Sequence, residues 1–264
     1  MIEVARGDGP IVLGLPHTGT QVPVEVRAGL NDVGRALADT DWHVERLYDG
    51  LRGDVTSVRT RVHRYVIDVN RPPDGASLYP GQATTGLCPL TDFDGRPIHR
   101  EGRAPDAAET EHRRAAYHAP YHAALAAELA RVKAIHGVAI LYDCHSIRSH
   151  IPHLFAGILP DFNIGTNLST SCAPRVEAVV ADRVAQAEGY SHVVNGRFRG
   201  GWTTRAYGQP DAGVHAIQME LAQATYMEET PPWRYLDPKA ERLRGHLSRI
   251  LNDLAGIVEA GELQ

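Results

Sequence analysis

The chain lacks most of the features that place a sequence quickly. Its 264 residues include only three cysteines, Cys88, Cys144 and Cys172, far apart and with no CxxC pair. That argues against a disulfide framework and against a cysteine-rich zinc module, and it predicts free thiols in a reducing cytoplasm. Charge of one sign is not in excess: the net charge is -5, so the basic footprint of a nucleic-acid binder is missing. No apolar run approaches the ~18 residues that cross a bilayer, which argues against a membrane partner. The opening "MIEVARGDGP" has no basic segment followed by an apolar stretch, which predicts no signal peptide. There is no G-x-G-x-x-G, no P-loop and no G-x-S-x-G elbow, so a nucleotide site and a serine hydrolase are both disfavoured.

What is present is an alternation of strand-like and helix-like segments. "IVLGLP" (11–16), "VTSVRTRV" (55–62), "RYVIDVN" (64–70), "VAILYD" (138–143) and "VHAIQMEL" (214–221) read as strands, rich in β-branched residues. Helices are predicted over 33–51, from an Asp106 cap to His136 before Gly137, over 174–188 and over 238–259. In the second, Tyr121, Leu125, Leu129 and Val132 share a face, and Pro120 marks a kink. Residues 71–105, 146–172 and the Gly/Arg-rich stretch up to 213 read as loops, the first a functional wall over a site. This order predicts one domain over 1–264: an α/β fold, a three-layer α/β/α sandwich on a mostly parallel mixed sheet.

In such folds ligands bind at the C-terminal ends of the strands. Chemistry collects there: His17, Asn70-Arg71, Asp143-Cys144-His145 and Glu220 each lie at or just past a strand end. Histidine is plentiful, at 14 residues, so most must be surface or packing residues. Two of them after apolar strands with acids nearby point to a metal, whose catalytic form takes about three protein ligands. The candidate metal ligands are His17 and His145, with a carboxylate from Asp39, Asp41, Glu45 or Asp143. Glu220, an acid in an apolar strand, must be ion-paired or line a site, and a desolvated glutamate suits a general base. Arg71, held by Pro72-Pro73, offers a bidentate fork for a carboxylate, with Asn70 beside it. Arg148, Arg199 and Arg205 are further loop cations, and "GRFRGG" (196–201) can line an anion pocket. Cys144 is expected to point to the face opposite Asp143 and His145.

The strings "LPHTG", "ADTDWHVERLYDG", "YVIDVNRPPDGASLYPGQATTGLCP", "DCHSIRS", "HVVNGRFRGGWTTRAYGQP" and "HAIQMELAQATYM" resemble the N-formylglutamate amidohydrolase family, in order from about residue 11 to 230. That family is in turn similar in fold to the zinc carboxypeptidases. The resemblance implies hydrolysis of N-formyl-L-glutamate to L-glutamate and formate, as the closing step of a histidine degradation route, with one divalent metal, zinc. It maps the carboxypeptidase order onto His17, Asn70-Arg71, His145 and Glu220. It departs at Thr20, where those enzymes carry a glutamate ligand. The ligand set expected here is therefore His17, Asp41 and His145, with Asp39 or Glu45 behind Asp41. Glu220 is expected to be catalytic. Asn70 and Arg71 are expected to grip the α-carboxylate, and Arg148 or Arg205 the side-chain carboxylate. Two other functions fit less of the pattern: an aspartoacylase- or carboxypeptidase-like hydrolase of another N-acyl amino acid, and a dicarboxylate-binding protein without chemistry.

Overall fold

Four of the five β-branched runs form the strands they predict. The computed structural model describes residues 1–263. Its sheet contains β1 (Ile2–Ala5), β2 (Ile11–Leu15), β3 (Thr56–Thr60), β4 (Ala139–Ile147), β5 (Phe162–Gly165), β6 (His192–Val194) and β7 (Val214–Ala222). The strand order is β1-β3-β2-β4-β7-β5-β6. Pairs β2/β3, β2/β4, β4/β7 and β5/β6 are parallel, whereas β1/β3 and β5/β7 are antiparallel. The sheet is therefore mixed and mostly parallel.

Side chains alternate across it. Ile140, Tyr142 and Cys144 of β4 and Ile217, Met219 and Leu221 of β7 join one core. There they meet α3 (Pro174–Ala185) and α4 (Asp237–Glu259), which bring Val176, Val180, Leu243 and Leu247. Ala139 and Leu141 of β4 and Ala216 of β7 face the other way, onto Tyr121, Leu125, Leu129 and Val132. Cys144 thus faces away from its two neighbours, as alternation predicts. On the Leu141 side the apolar positions give way to Asp143 and His145 on β4 and to Gln218 and Glu220 on β7. One face of two central strands changes from core to site.

Helix α1 (Ala107–Arg113) begins with Asp106 Oδ1 accepting from the Glu109 amide at 2.8 Å. A π-helical turn (Arg114–His118) joins it to α2 (Ala119–His136), which stops at Gly137 with φ +80°. The wider turn brings Arg113, His118 and His122 against one neighbour, residues 66–71. Arg113 Nη1 donates to Val66 O at 3.1 Å, and His122 Nε2 and His118 Nε2 lie 2.8 Å and 2.9 Å from Val69 O and Arg71 O.

Three expectations need correction. "RYVIDVN" is not a strand but a buried run of turns. Its β-branched residues pack, while two of its carbonyls, Val66 O and Val69 O, are taken by Arg113 and His122 instead of by a ladder partner. The helix over 33–51 is broken into Asp32–Arg35 and Val44–Tyr48. Leu37 and His43 between them are left-handed, with φ of 52° and 63°, and the intervening Asp39 and Asp41 are buried. Strand β5 lies inside the expected loop 146–172, β6 lies just before the Gly/Arg-rich stretch, and that stretch, expected to be a loop, contains a helix over Trp202–Tyr207. Residues 71–105 do lack regular helix or strand, as expected.

His122 makes stability pH-dependent. Burial, with His118 adjacent, pushes its pKa down to about 4 from an ordinary 6.5. Its neutral form bonds Val69 O and Tyr207 Oη. Because the folded pKa is the lower one, this stability is whole above pH 6.5 and is lost as pH falls toward 4. Urea unfolding should show wild type losing about 2 kcal/mol more than His122→Gln between pH 7 and pH 5. Equal losses would remove His122 from the account.

Candidate metal centre and active site

The site forms where β2, β4 and β7 end. His17 follows β2 across Pro16. His145 lies on β4 directly opposite Glu220 on β7, and Asp143 lies opposite Gln218. Asp41 arrives from the broken helical segment, fixed by the Asp41 amide donating to His17 O at 3.0 Å and the Ser146 amide donating to Asp41 Oδ2 at 3.1 Å.

Three buried donor groups converge. Ligand atoms of His17, Asp41 and His145 all lie within 4.8 Å of one another. The Nδ1 atoms of the two histidines are 3.1 Å apart, and Asp41 Oδ2 is 3.3 Å from His145 Nδ1 and 3.7 Å from His17 Nδ1. Each imidazole turns its other nitrogen to an aspartate. His17 Nε2 is 2.7 Å from Asp68 Oδ1, and His145 Nε2 is 2.9 Å from Asp143 Oδ2. Carboxylates in that position fix the ring and make the free nitrogen a better ligand.

Electrostatics fit a cation here. Burial alone would raise the Asp41 carboxyl, but His145, His17 and Arg64 outweigh it and hold the pKa below the usual range. Burial would likewise raise Asp68, yet Arg71, His17 and Arg64 hold it well below. Burial would lower His145, but Asp143 first, then Asp41 and Glu220, raise it. Three carboxylates, Asp41, Asp68 and Asp143, stand in the cluster with two guanidiniums, Arg64 and Arg71, and the negative charge left over favours a cation. Asp41 Oδ1 is also buried without a hydrogen-bond partner among the described residues. The donor set therefore suits a metal.

Beside the cluster is a cleft of about 610 Å³, lined in part by His17, Arg64, Asn70, Arg71, His145 and Glu220. Glu220 Oε2 accepts from Gln218 Nε2 at 3.1 Å. Burial is the main cause that pushes its carboxyl up to about 8, Asp41 adding to it against His145 and Arg64. Asn70 Oδ1 accepts from the Thr203 amide at 2.8 Å, and its Nδ2 is 3.1 Å from His145 Nε2. Gly201 packs flat on that amide: a Cβ there would come within 2.3 Å of Asn70 Nδ2. Arg71 donates Nε to Thr85 O at 2.9 Å and Nη2 to Thr85 Oγ1 at 3.0 Å, so the long loop wraps the cleft. Tyr79, Thr84, Thr85 and Phe93 of that loop line it.

The predicted residues His17, Asp41, Asn70, Arg71, His145 and Glu220 are thus brought together. Asp39 is buried against Tyr65 Oη, at 2.7 Å, and the Phe93 amide, at 2.8 Å. Glu45 pairs with Arg59 at 3.2 Å. Arg148 pairs with Asp94 at 3.1 Å and Arg205 donates to Gly200 O and Leu78 O at 3.1 Å each, and neither lines the cleft. Sequence reading passed over Asp68 and Arg64. Asp68 had a signal: it is an acid inside an apolar run, the same mark that singled out Glu220. Arg64 had none, since its Nη2 reaches His17 Nδ1 at 2.6 Å across a distance of 47 residues.

Known proteins are similar to this chain. The chain is 51% identical over 255 residues to the N-formylglutamate deformylase of Pseudomonas aeruginosa, covering 96% of each chain. It is 47% identical to the N-formylglutamate deformylase of Pseudomonas putida, covering 96% of this chain and 95% of the other. Among solved structures, an N-formylglutamate amidohydrolase from Ralstonia eutropha JMP134 superposes with a TM-score of 0.83 at 24% identity, over 98% of both chains. A profile of the N-formylglutamate amidohydrolase family matches residues 9–227, and with these identities it follows that the chain belongs to that family.

Proposed function

We propose that this chain hydrolyses N-formyl-L-glutamate to L-glutamate and formate, using one zinc ion held by His17, Asp41 and His145. The observation that carries the reading is the meeting, in one cleft, of that donor cluster, the buried Glu220 and the Asn70-Arg71 pair. The names of the Pseudomonas relatives supply the substrate.

Each residue has a role that its surroundings support. Asn70 and Arg71 bind the substrate α-carboxylate, positioned by the carbonyl contacts of His118 and His122 to residues 69 and 71. The zinc ion, when bound, supplies Lewis acidity: it acidifies water and draws electrons from the formyl carbonyl. Glu220 takes a proton from the attacking water as the new C–O bond forms at the formyl carbon. Arg64, a buried guanidinium in the cleft, offsets the negative charge that grows on the formyl oxygen. Glu220 then gives its proton to the amide nitrogen, the C–N bond breaks, and formate and the amino group of glutamate separate. Asp68 and Asp143 hold the two imidazoles.

Formate release decides the matter. Chelation is expected to abolish formate release from N-formyl-L-glutamate, and added zinc to restore it. N-acetyl-L-glutamate should be a much poorer substrate. If metal-loaded protein releases acetate as readily as formate, the enzyme is a broader N-acyl amino acid hydrolase. If it releases neither, the deformylase reading falls.

A further inference from the structure

Arg197 is the cation in the cleft without an acid. It lies in the loop after β6 and lines the pocket with Tyr79, Leu154 and Phe198. Its neighbours in the same cleft are paired: Arg64 is 3.3 Å and Arg71 3.5 Å from Asp68. Arg197 has no carboxylate within ion-pair distance among the described residues. It donates only to main-chain carbonyls, Nε to Leu154 O at 3.2 Å and Nη2 to Ala83 O at 2.9 Å. A guanidinium has five N–H donors, so donors remain. Aromatic rings cover it, with centroids 5.4 Å (Phe198) and 5.7 Å (Tyr79) from its central carbon. Burial lowers its affinity for its proton, against the pull of Tyr79 and Glu220, as expected of a cation partly stripped of water.

The wall beside it is apolar. Phe93, Ile147, Leu154 and Phe198 belong to one hydrophobic cluster, and each lines the cleft. Such a wall suits the methylenes of a side chain that ends in an anion. Two guanidiniums with free donors, Arg71 and Arg197, then answer the two carboxylates of one substrate. Arg199, the other arginine of the same loop, does not line the cleft and bonds Gly196 O.

We propose that Arg197 is the specificity-determining residue that receives the side-chain carboxylate of the substrate, so that the cleft selects a dicarboxylate over its amide. This rests on the deformylase reading for the identity of the substrate. The competing role is a strut, because the same guanidinium ties Ala83 to Leu154. A strut would affect all substrates alike, whereas a carboxylate receptor would not.

The test compares N-formyl-L-glutamate with N-formyl-L-glutamine on zinc-loaded wild type, Arg197→Gln and Arg197→Lys. Wild type should favour the glutamate substrate by about 100-fold in kcat/KM, the range of charge-assisted recognition. Arg197→Gln should bring that ratio near one, mostly through KM, and Arg197→Lys should recover part of it. A ratio that stays near 100-fold while both activities fall together would make Arg197 a strut and overturn the proposal, as would a wild type with no preference. If wild type releases formate from neither substrate, the deformylase reading has failed. Calorimetric titration of glutarate and of butyrate then decides Arg197 alone. Loss of the glutarate advantage in Arg197→Gln supports the subsite, and its retention overturns it.

Discussion

Glu220→Gln is expected to lower kcat for formyl hydrolysis by about 10²–10⁴-fold, with zinc content unchanged. The substitution keeps size and shape. Its amide oxygen can still accept from Gln218 Nε2, which lies 3.1 Å from Oε2 in the native site. It removes only the ability to carry a proton. It holds none of the ligands in place: Asp41 and the two histidines are held by Ser146, Asp68 and Asp143. The fold should not suffer, because a neutral amide replaces a buried carboxyl whose burial already pushes its pKa up to about 8. Formate release and elemental analysis on the same preparation check both halves. Activity within tenfold of wild type would take the proton-transfer role away from Glu220.

The residues of this site were legible where chemistry interrupts an apolar pattern. His17, His145 and Glu220 stand at the ends of β2, β4 and β7, and each of those strands is a run that must be buried. An imidazole or carboxylate there has to be explained by a partner. Asp41 was legible only as one of four acids. Its selection depends on a left-handed turn at His43 and on the Ser146 amide, 105 residues away, neither of which has a local signature.

The misread segments have different physical causes. "RYVIDVN" has the composition of a strand, but two of its carbonyls are satisfied by Arg113 and His122 from a helix some 50 residues on. Local propensity measures how well side chains fit a pleated surface and cannot see such partners. The strands β5 and β6, with four and three residues, are too short for any period to show. Arg148 and Arg205 drew attention as loop cations. Arg148 is paired with an acid, which no reading of single positions reveals, and Arg197, unremarked inside "GRFRGG", is not.

His145→Ala is expected to cost both the metal and part of the fold. His145 is nearly fully buried and touches four groups of the site at once: His17 and Asp41 through Nδ1, and Asp143 and Asn70 through Nε2. Asp143 is fully buried, and its 2.9 Å contact with His145 is accompanied by no hydrogen bond to any other described group. Removing the imidazole leaves that carboxylate with no compensating charge, at a cost of about 3–5 kcal/mol for a buried pair broken on one side. Two ligands then remain where a catalytic zinc site takes about three. Urea unfolding with and without zinc separates the two losses. Wild type should gain about 4 kcal/mol at a zinc concentration near 1,000 times its Kd. The variant should start lower and gain less than about 1 kcal/mol under the same conditions, the difference being the binding energy that the missing ligand supplied. A variant that starts lower yet gains as much as wild type would show His145 to be a structural partner of Asp143 and not a ligand. A variant that starts level and gains nothing would show the reverse, a ligand whose aspartate needs no counter-charge.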